Sequence, residues 1–234
     1  MAPYINSKLC RFVYNDLLRT IVGQQRSTIN FRKAMDSGKI VLMDLRKGIL
    51  GQTNSHFLGM ILVGMILKAA LSRTDVRDKS VLREFYLYVD EFQDLATESF
   101  LSILSEARKY KLVLTLTNQY IAQLDQSMIE GILGNVGTLI SFRVGSQDAA
   151  ILSKEFAGVV SENDLLGLSN WNAYVKLLIN GDIGFPFHMR TLVPAKSPNP
   201  KLAKQIIAYS RKRYARPRTE VEAEVRKSWL CSEE

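Results

Sequence analysis

Asp90 and Glu91 close the apolar run Phe85-Tyr-Leu-Tyr-Val89, and Asn118 and Gln119 close a second run, Leu112-Val-Leu-Thr-Leu-Thr117. Both runs have the length and composition of buried strands. In an open α/β sheet, ligands collect at the carboxyl ends of the strands. An apolar strand running into Asp-Glu is the Walker B arrangement, in which the aspartate holds hydrated Mg²⁺ beside a nucleotide and the glutamate polarises the attacking water. A neutral amide at the end of the next strand, such as Gln119, can orient that water or touch a γ-phosphate without adding charge. Taken singly, an Asp-Glu pair also ends ordinary strands, and an exposed glutamine also opens ordinary helices. Two neighbouring strand ends that carry both make a constellation.

The elements that must position these groups follow from periodicity. Strand 85–91, helix 97–110 and strand 112–117 read as a right-handed βαβ unit of a parallel sheet. Upstream, Lys39-Ile-Val-Leu-Met-Asp44 predicts a strand buried on both faces, and Thr53 to Ser72, apolar nearly all round, predicts a helix packed deep against the sheet. Residues 5–22 and 29–35 read as helices stopped at Gly23 and at Ser37-Gly38. Downstream follow a helical stretch 120–133, a strand 137–144, a helix 147–156, and a strand 173–179 with a return near 187–192. Pro194, Pro198 and Pro200 mark a linker to two helical stretches, 201–214 and 219–230. The organisation expected is an N-terminal helical segment (1–37), an α/β core (38–195) and a basic helical tail (196–234).

Composition sets the outer bounds. The 234 residues are 47% hydrophobic and 23% charged, which fits one large globular domain or two small ones and excludes disorder, collagen and small disulfide scaffolds. Cys10 and Cys231 lie at opposite ends, and His56 and His188 are the only histidines, so the sequence offers no zinc-type spacing and a reducing cytosol is expected. No charged region followed by an apolar one opens the chain, and no signal peptide is read. The longest uncharged apolar run, Phe57 to Leu67, falls short of the roughly 20 residues of a membrane span and reads as a buried helix. The net charge of +8 gathers in the tail, where residues 196–234 carry ten Lys/Arg against five Asp/Glu. Such a tail suits nucleic acid or an anionic membrane, and equally a solvated surface.

Four ordered blocks carry a family resemblance: Tyr88-Val-Asp-Glu-Phe-Gln-Asp94, Ile103-Leu-Ser-Glu-Ala-Arg-Lys-Tyr110, Leu116-Thr-Asn-Gln-Tyr-Ile-Ala-Gln-Leu124, and Asn135-Val-Gly-Thr-Leu-Ile-Ser-Phe-Arg-Val-Gly-Ser-Gln-Asp148. They resemble the P-loop ATPases of conjugation and type IV secretion, the conjugative coupling proteins among them, which are related to bipolar DNA helicases and septal DNA translocases. The similarity covers about residues 38–192. It implies a RecA-like α/β fold and ATP with Mg²⁺ as the ligands, with Asp90 on the metal, Glu91 as general base and Gln119 as a polar sensor at the γ-phosphate, beside Asn118. Arg108 matches the position from which such hexameric motors reach a neighbouring subunit's nucleotide, where a guanidinium meets charge on the transferred phosphoryl group. Arg108 and Lys109 also end a helix, where cations favour the macrodipole, and both readings stand. Arg143 is a second arginine candidate near the nucleotide. Arg46-Lys47-Gly48 reads first as a solvated turn and second as a phosphate or DNA contact through Lys47. Arg211, Lys212 and Arg213, interleaved with tyrosines, are candidate nucleic-acid contacts.

The resemblance implies a cytoplasmic homo-oligomeric ring, hexameric in such motors, that translocates DNA and meets secretion-channel proteins at the inner face of the membrane. A phosphate-cradling Gly-x-x-x-x-Gly-Lys-Ser/Thr is absent from the sequence. Gly59-Met-Ile-Leu-Val-Gly64 has the glycine spacing but is followed by Met65-Ile66. In the family that loop lies upstream, so the chain is expected to correspond to the C-terminal half of a motor. Its partner is then its own N-terminal half or a split subunit carrying the loop. Two alternatives remain open: a secretion ATPase for protein export or pilus assembly, and a non-catalytic module that binds DNA or a partner ATPase.

Overall fold

The computed structural model describes residues 15–194 and 199–230. Contacts divide the chain into two compact units, Arg32–Ala195 and the flanking segments Met1–Phe31 with Lys196–Glu234.

The flanking unit contains α1 (Asp16–Val22), capped by the Asn15 side chain, which accepts from the Leu17 and Leu18 amides. The helix begins eleven residues later than the helical reading of 5–22 expected; residues 1–14 lie outside the described residues. Short α2 (Phe31–Asp36) leads into the larger unit and is closed by Gly38 at φ 62°, a left-handed position that suits glycine.

In the larger unit, segment 39–44 is not a strand. Ile40 and Leu42 are 90% and 83% exposed, which corrects the expectation of a doubly buried strand. An apolar run becomes a strand only where its amides find a neighbouring ladder, and among the described residues this run has none. One turn of helix, α3 (Lys47–Leu50), then precedes the twenty-residue α4 (Gln52–Leu71). By length and composition α4, with its continuation to Asp75, could cross a membrane. It buries one face instead, through Ser55, Leu58, Gly59, Val63, Ile66, Leu67 and Ala70. At Gly59 a side chain would collide with the Leu95 side chain, so glycine makes room for it.

Strand β1 (Phe85–Val89), helix α5 (Glu98–Glu106) and β2 (Leu112–Leu116) form the expected unit, with β1 and β2 parallel and Phe85 opposite Leu112. The helical reading of 97–110 divides into α5 and a 3₁₀ turn, Ala107–Tyr110, ended by Lys111 at φ 57°. Arg73, fully buried, ties the entries of both strands together. Its Nη1 donates to the Arg83 and Tyr110 carbonyls at 3.0 and 2.9 Å, and its Nε donates to Asp36 at 3.1 Å.

Helix α6 (Gln126–Leu133) follows, then β3 (Leu139–Ser141), α7 (Ser146–Glu155) and α8 (Glu162–Leu166). The last opens on a capping box between Ser161 and Asp164. Strands β4 (Asn172–Lys176), β5 (Leu178–Ile179), β6 (Asp182–Ile183) and β7 (Phe187–Arg190) complete the unit. Antiparallel β3-β4-β7 forms one sheet and β5-β6 a hairpin. The hairpin turns at Asn180 (φ 53°) and Gly181 (φ 97°), the two positive φ values of a type I′ turn. The α/β class of the sequence reading stands, but among the described residues the strands form three small sheets and not one continuous mixed sheet. A core of Ala149, Leu152, Phe156, Val160, Leu165 and Leu168 belongs to α7, α8 and their loops, with Leu139 and Tyr174 of the antiparallel sheet packed on it.

Beyond the linker, α9 (Pro200–Tyr214) and α10 (Arg218–Leu230) return to the flanking unit. Helix α10 buries Val221 and Val225 and contacts α1.

Candidate active site

The carboxyl ends of β1 and β2 meet as their parallel pairing requires. The Thr117 amide donates to the Val89 carbonyl and the Phe92 amide donates to the Thr117 carbonyl, both at 3.0 Å, so the ladder continues one step past each strand. Between these two bonds the backbone reverses at Glu91, which sits in the left-handed region at φ 53°, ψ 48°. A glutamate there costs on the order of 1 kcal/mol relative to glycine. The turn is held from below by Phe92 and Phe100, both buried, with ring centroids 4.6 Å apart. Two buried rings of this kind each contribute about 1.5–3 kcal/mol, enough to fix the strained residue.

The side chains projecting from this edge form a polar cluster. Thr117 Oγ1 donates to Asp90 Oδ1 at 2.6 Å, and the Glu91 amide donates to the same oxygen at 3.1 Å. Gln119 Nε2 donates to Glu91 Oε1, and Gln93 Nε2 donates to Glu91 Oε2 at 2.5 Å. One amide thus grips each oxygen of the Glu91 carboxylate. The sequence expectation that Asp90, Glu91 and Gln119 meet is met in this geometry. Gln93, three residues past Asp90, was not singled out from sequence, because a glutamine in a turn carries no signal of its own.

Lys47 belongs to this neighbourhood too. It opens α3, and its Nζ lies 2.5 Å from Asp94 Oδ2. The Asp94 hydrogen bond holds the Lys47 pKa above its ordinary value, with the Glu91 charge a smaller contribution in the same direction. Lys47 stays half-exposed, in keeping with a solvated position, while an ion pair ties it to the loop that follows Glu91. Neighbouring Arg46 turns back on Asp44, with Nε at 2.8 and 2.9 Å from the two carboxylate oxygens.

A buried carboxylate supports the second strand end. Asp148 of α7 accepts the Ile121 and Ala122 amides, each at 3.0 Å, and so caps the 3₁₀ turn Ile121–Gln123 two residues after Gln119. Two charge-assisted bonds to backbone amides fix the chain that carries Gln119.

The other candidates are not drawn in. Asn118 is exposed at the end of β2. Arg108 is exposed in the 3₁₀ turn after α5, at the opposite, amino-terminal end of β2 from Gln119, and makes no ion pair among the described residues. Arg143 donates to Asn170 Oδ1 at 3.2 Å in an open cleft shared with Phe142 and Trp171. Arg211, Lys212 and Arg213 end α9, in the other unit.

Among the described residues no group of three or more His, Cys, Asp or Glu is placed to hold a metal ion. The donor set at Asp90 fits a different kind of site. Mg²⁺ binds through one or two carboxylates, takes phosphate oxygens and keeps several waters. An exposed aspartate beside a threonine hydroxyl offers that much and no more.

Residues 84–164 match the family model described as the TraM recognition site of TraD and TraG. Among solved structures, the chain is similar to the plasmid coupling protein TrwB in complex with the non-hydrolysable GTP analogue GDPNP, with a TM-score of 0.59 at 16% identity over 80% of this chain. It is similar also to the bacterial conjugative coupling protein TrwBdeltaN70 in an unbound monoclinic form, with a TM-score of 0.56 at 16% identity and the same 80% coverage. The chain spans about 50% of the length of either structure. A search of the curated proteins found no match.

Proposed function

Starting from a chain that resembles the C-terminal portion of a conjugative coupling protein of the TraG/TraD kind, we propose that it is the Walker B half of a ring-forming ATPase that couples ATP hydrolysis to DNA transfer. The supporting observation is the joint geometry of Asp90, Glu91 and Gln119 at two paired strand ends. Bound Mg²⁺ would neutralise phosphate charge, and Asp90 with Thr117 would hold it through its water shell. Glu91 would accept a proton from water as that oxygen attacks the γ-phosphorus and the bond to the β–γ bridging oxygen breaks. Gln119 and Gln93 each hold one Glu91 oxygen, and so fix the direction in which the carboxylate presents its remaining lone pairs to the water. Arg108 would act on the nucleotide of a neighbouring subunit, and Asn118 and Arg143 would contribute to nucleotide contacts. The phosphate loop comes from elsewhere, as upstream sequence or as a second chain.

In the assembly that carries this loop, Glu91→Gln is expected to lower DNA-stimulated ATP turnover about 10²- to 10⁴-fold while nucleotide binding persists. Unchanged turnover overturns the assignment. Binding to duplex DNA should weaken linearly in log affinity with log salt; no measurable binding at low salt would favour a protein-exporting ATPase. The family description adds a partner, a TraM-type protein recognised through residues 84–164. Pull-down by this chain, lost on mixing with an excess of the isolated partner, checks it.

A further inference from the structure

Helix α9 departs from the usual behaviour of an amphipathic helix. Every residue from Pro200 to Arg213 is exposed. Yet at 100° per residue Leu202, Ala203, Ile206, Ile207, Tyr209 and Tyr214 fall on one side, and Leu202, Ile206, Ile207 and Tyr209 all remain about half exposed or more. The opposite side carries Lys201, Lys204, Arg211 and Lys212, and the helix contains no acidic residue. Arg213 falls within that apolar side, between Leu202 and Ile206 in projection; it donates to the Tyr209 hydroxyl at 2.9 Å and lies over the Tyr214 ring, so its charge is carried on the aromatic tips.

The neighbouring α10 shows what a packing helix does in the same unit. Val221 and Val225 are buried, and Glu222 and Glu224 are paired with Arg218 and Arg216 at 2.6 Å. Among the described residues, helix α9 has neither a buried face nor an acidic partner for its cations. Its helical form is nonetheless secured, since Asn199 caps it by accepting the Leu202 amide at 2.9 Å and Pro200 occupies the first turn.

Two demands must be met at once: cover for an apolar arc the length of four turns, and negative charge for a cationic arc that pairs with none among the described residues. Nucleic acid supplies the second and has no use for the first. An ordinary protein groove supplies the first and does not call for a polar arc devoid of acids. An anionic lipid surface supplies both, taking the apolar side into the acyl boundary and leaving the lysines and arginines among the headgroups. We propose that α9 is an interfacial helix that lies in the surface of an anionic bilayer. This holds whether or not Glu91 hydrolyses nucleotide.

The test is sedimentation of the whole chain with vesicles of phosphatidylcholine alone or mixed with phosphatidylglycerol. Three proteins are compared at matched far-UV ellipticity: wild type, Leu202→Asp with Ile206→Asp, and a variant with Lys201, Lys204, Arg211 and Lys212 all changed to Gln. All the substituted side chains are exposed, so the packed parts of the chain are left intact. Wild type is expected to partition onto the phosphatidylglycerol vesicles at least about tenfold more strongly than onto phosphatidylcholine, and each variant to lose about tenfold or more. Loss in both variants assigns the binding to α9 and separates it from any contribution of the apolar α4. No partitioning by wild type at low salt overturns the proposal. So does binding that survives the aspartates and vanishes only with the charges. If that second pattern appears on duplex DNA as well, the helix belongs to nucleic acid.

Discussion

The parallel pair β1-β2 and the antiparallel sheet β3-β4-β7 sit in one unit and are built on opposite terms. The antiparallel sheet rests on a closed apolar cluster in which Ala149, Phe156 and Leu165 are fully buried. The parallel pair buries Leu87, Val89 and Leu112 on one face and leaves Tyr86 and Tyr88 open on the other, Tyr88 at 71% exposure. The first region is stable by its own side chains. The second carries a left-handed glutamate and a cluster of hydrogen-bonded carboxylates and amides, and it relies on Arg73 and the two phenylalanines to hold them. Packing and chemistry have been assigned to different sheets.

The widest gap between the two should appear when a ring is removed from each. Phe156→Ala is expected to cost about 3–5 kcal/mol, because the cavity cannot collapse among Leu152, Val160 and Leu165. Tyr88→Ala removes a ring of similar size from the open face and should stay within about 0.5 kcal/mol. Urea titrations of both variants check the pair, and similar losses would show that the parallel face is covered. The next largest effect tests what replaces a core beneath β1 and β2. Arg73→Ala leaves the Arg83 and Tyr110 carbonyls without their donor and should cost about 3 kcal/mol. A loss below about 1 kcal/mol would mean that water takes over the guanidinium's bonds.

How much of this was legible in the sequence depends on the range of the interaction. The β1-α5-β2 unit and the meeting of Asp90, Glu91 and Gln119 could be read because apolar runs of strand length end in those residues, so local pattern and site coincide. The run 39–44 shows the limit of the same signal: composition reports what a segment could bury and says nothing of whether a ladder is present to receive it. Lys47 with Asp94, Asp148 with the amides of 121 and 122, and buried Arg73 each join positions more than 20 residues apart. Nothing in their local spacing announces them. The β5-β6 hairpin is a different kind of omission, since Asn180-Gly181 is a type I′ turn signal in plain view.

Asp148 sharpens the comparison because it is where the two regions touch: α7 packs its apolar face into the cluster and lends its carboxylate to the chain after Gln119. Asp148→Ala should cost about 2 kcal/mol by leaving two amides unpaired. In the loop-bearing assembly it should also lower kcat with little change in nucleotide affinity, as expected for a residue that positions Gln119. An unchanged kcat would confine Asp148 to stability.

The smallest effect isolates the strain itself. Replacing Glu91 by glycine or by alanine removes the same carboxylate and the same bonds to Gln93 and Gln119, and the two variants differ at this position in whether a Cβ must occupy φ 53°. Elsewhere alanine is the more stabilising of the two, because glycine loses more freedom on folding. At a left-handed position the order inverts, and Glu91→Gly should exceed Glu91→Ala in stability by about 1 kcal/mol. Alanine equal to glycine, or better, would mean that the turn relaxes once the carboxylate is gone. The left-handed backbone would then be held by the Gln93 and Gln119 amides rather than by the buried rings beneath it. With the order inverted as expected, the turn is fixed by Phe92 and Phe100, and a side chain at 91 is aimed at the strand ends whichever residue stands there.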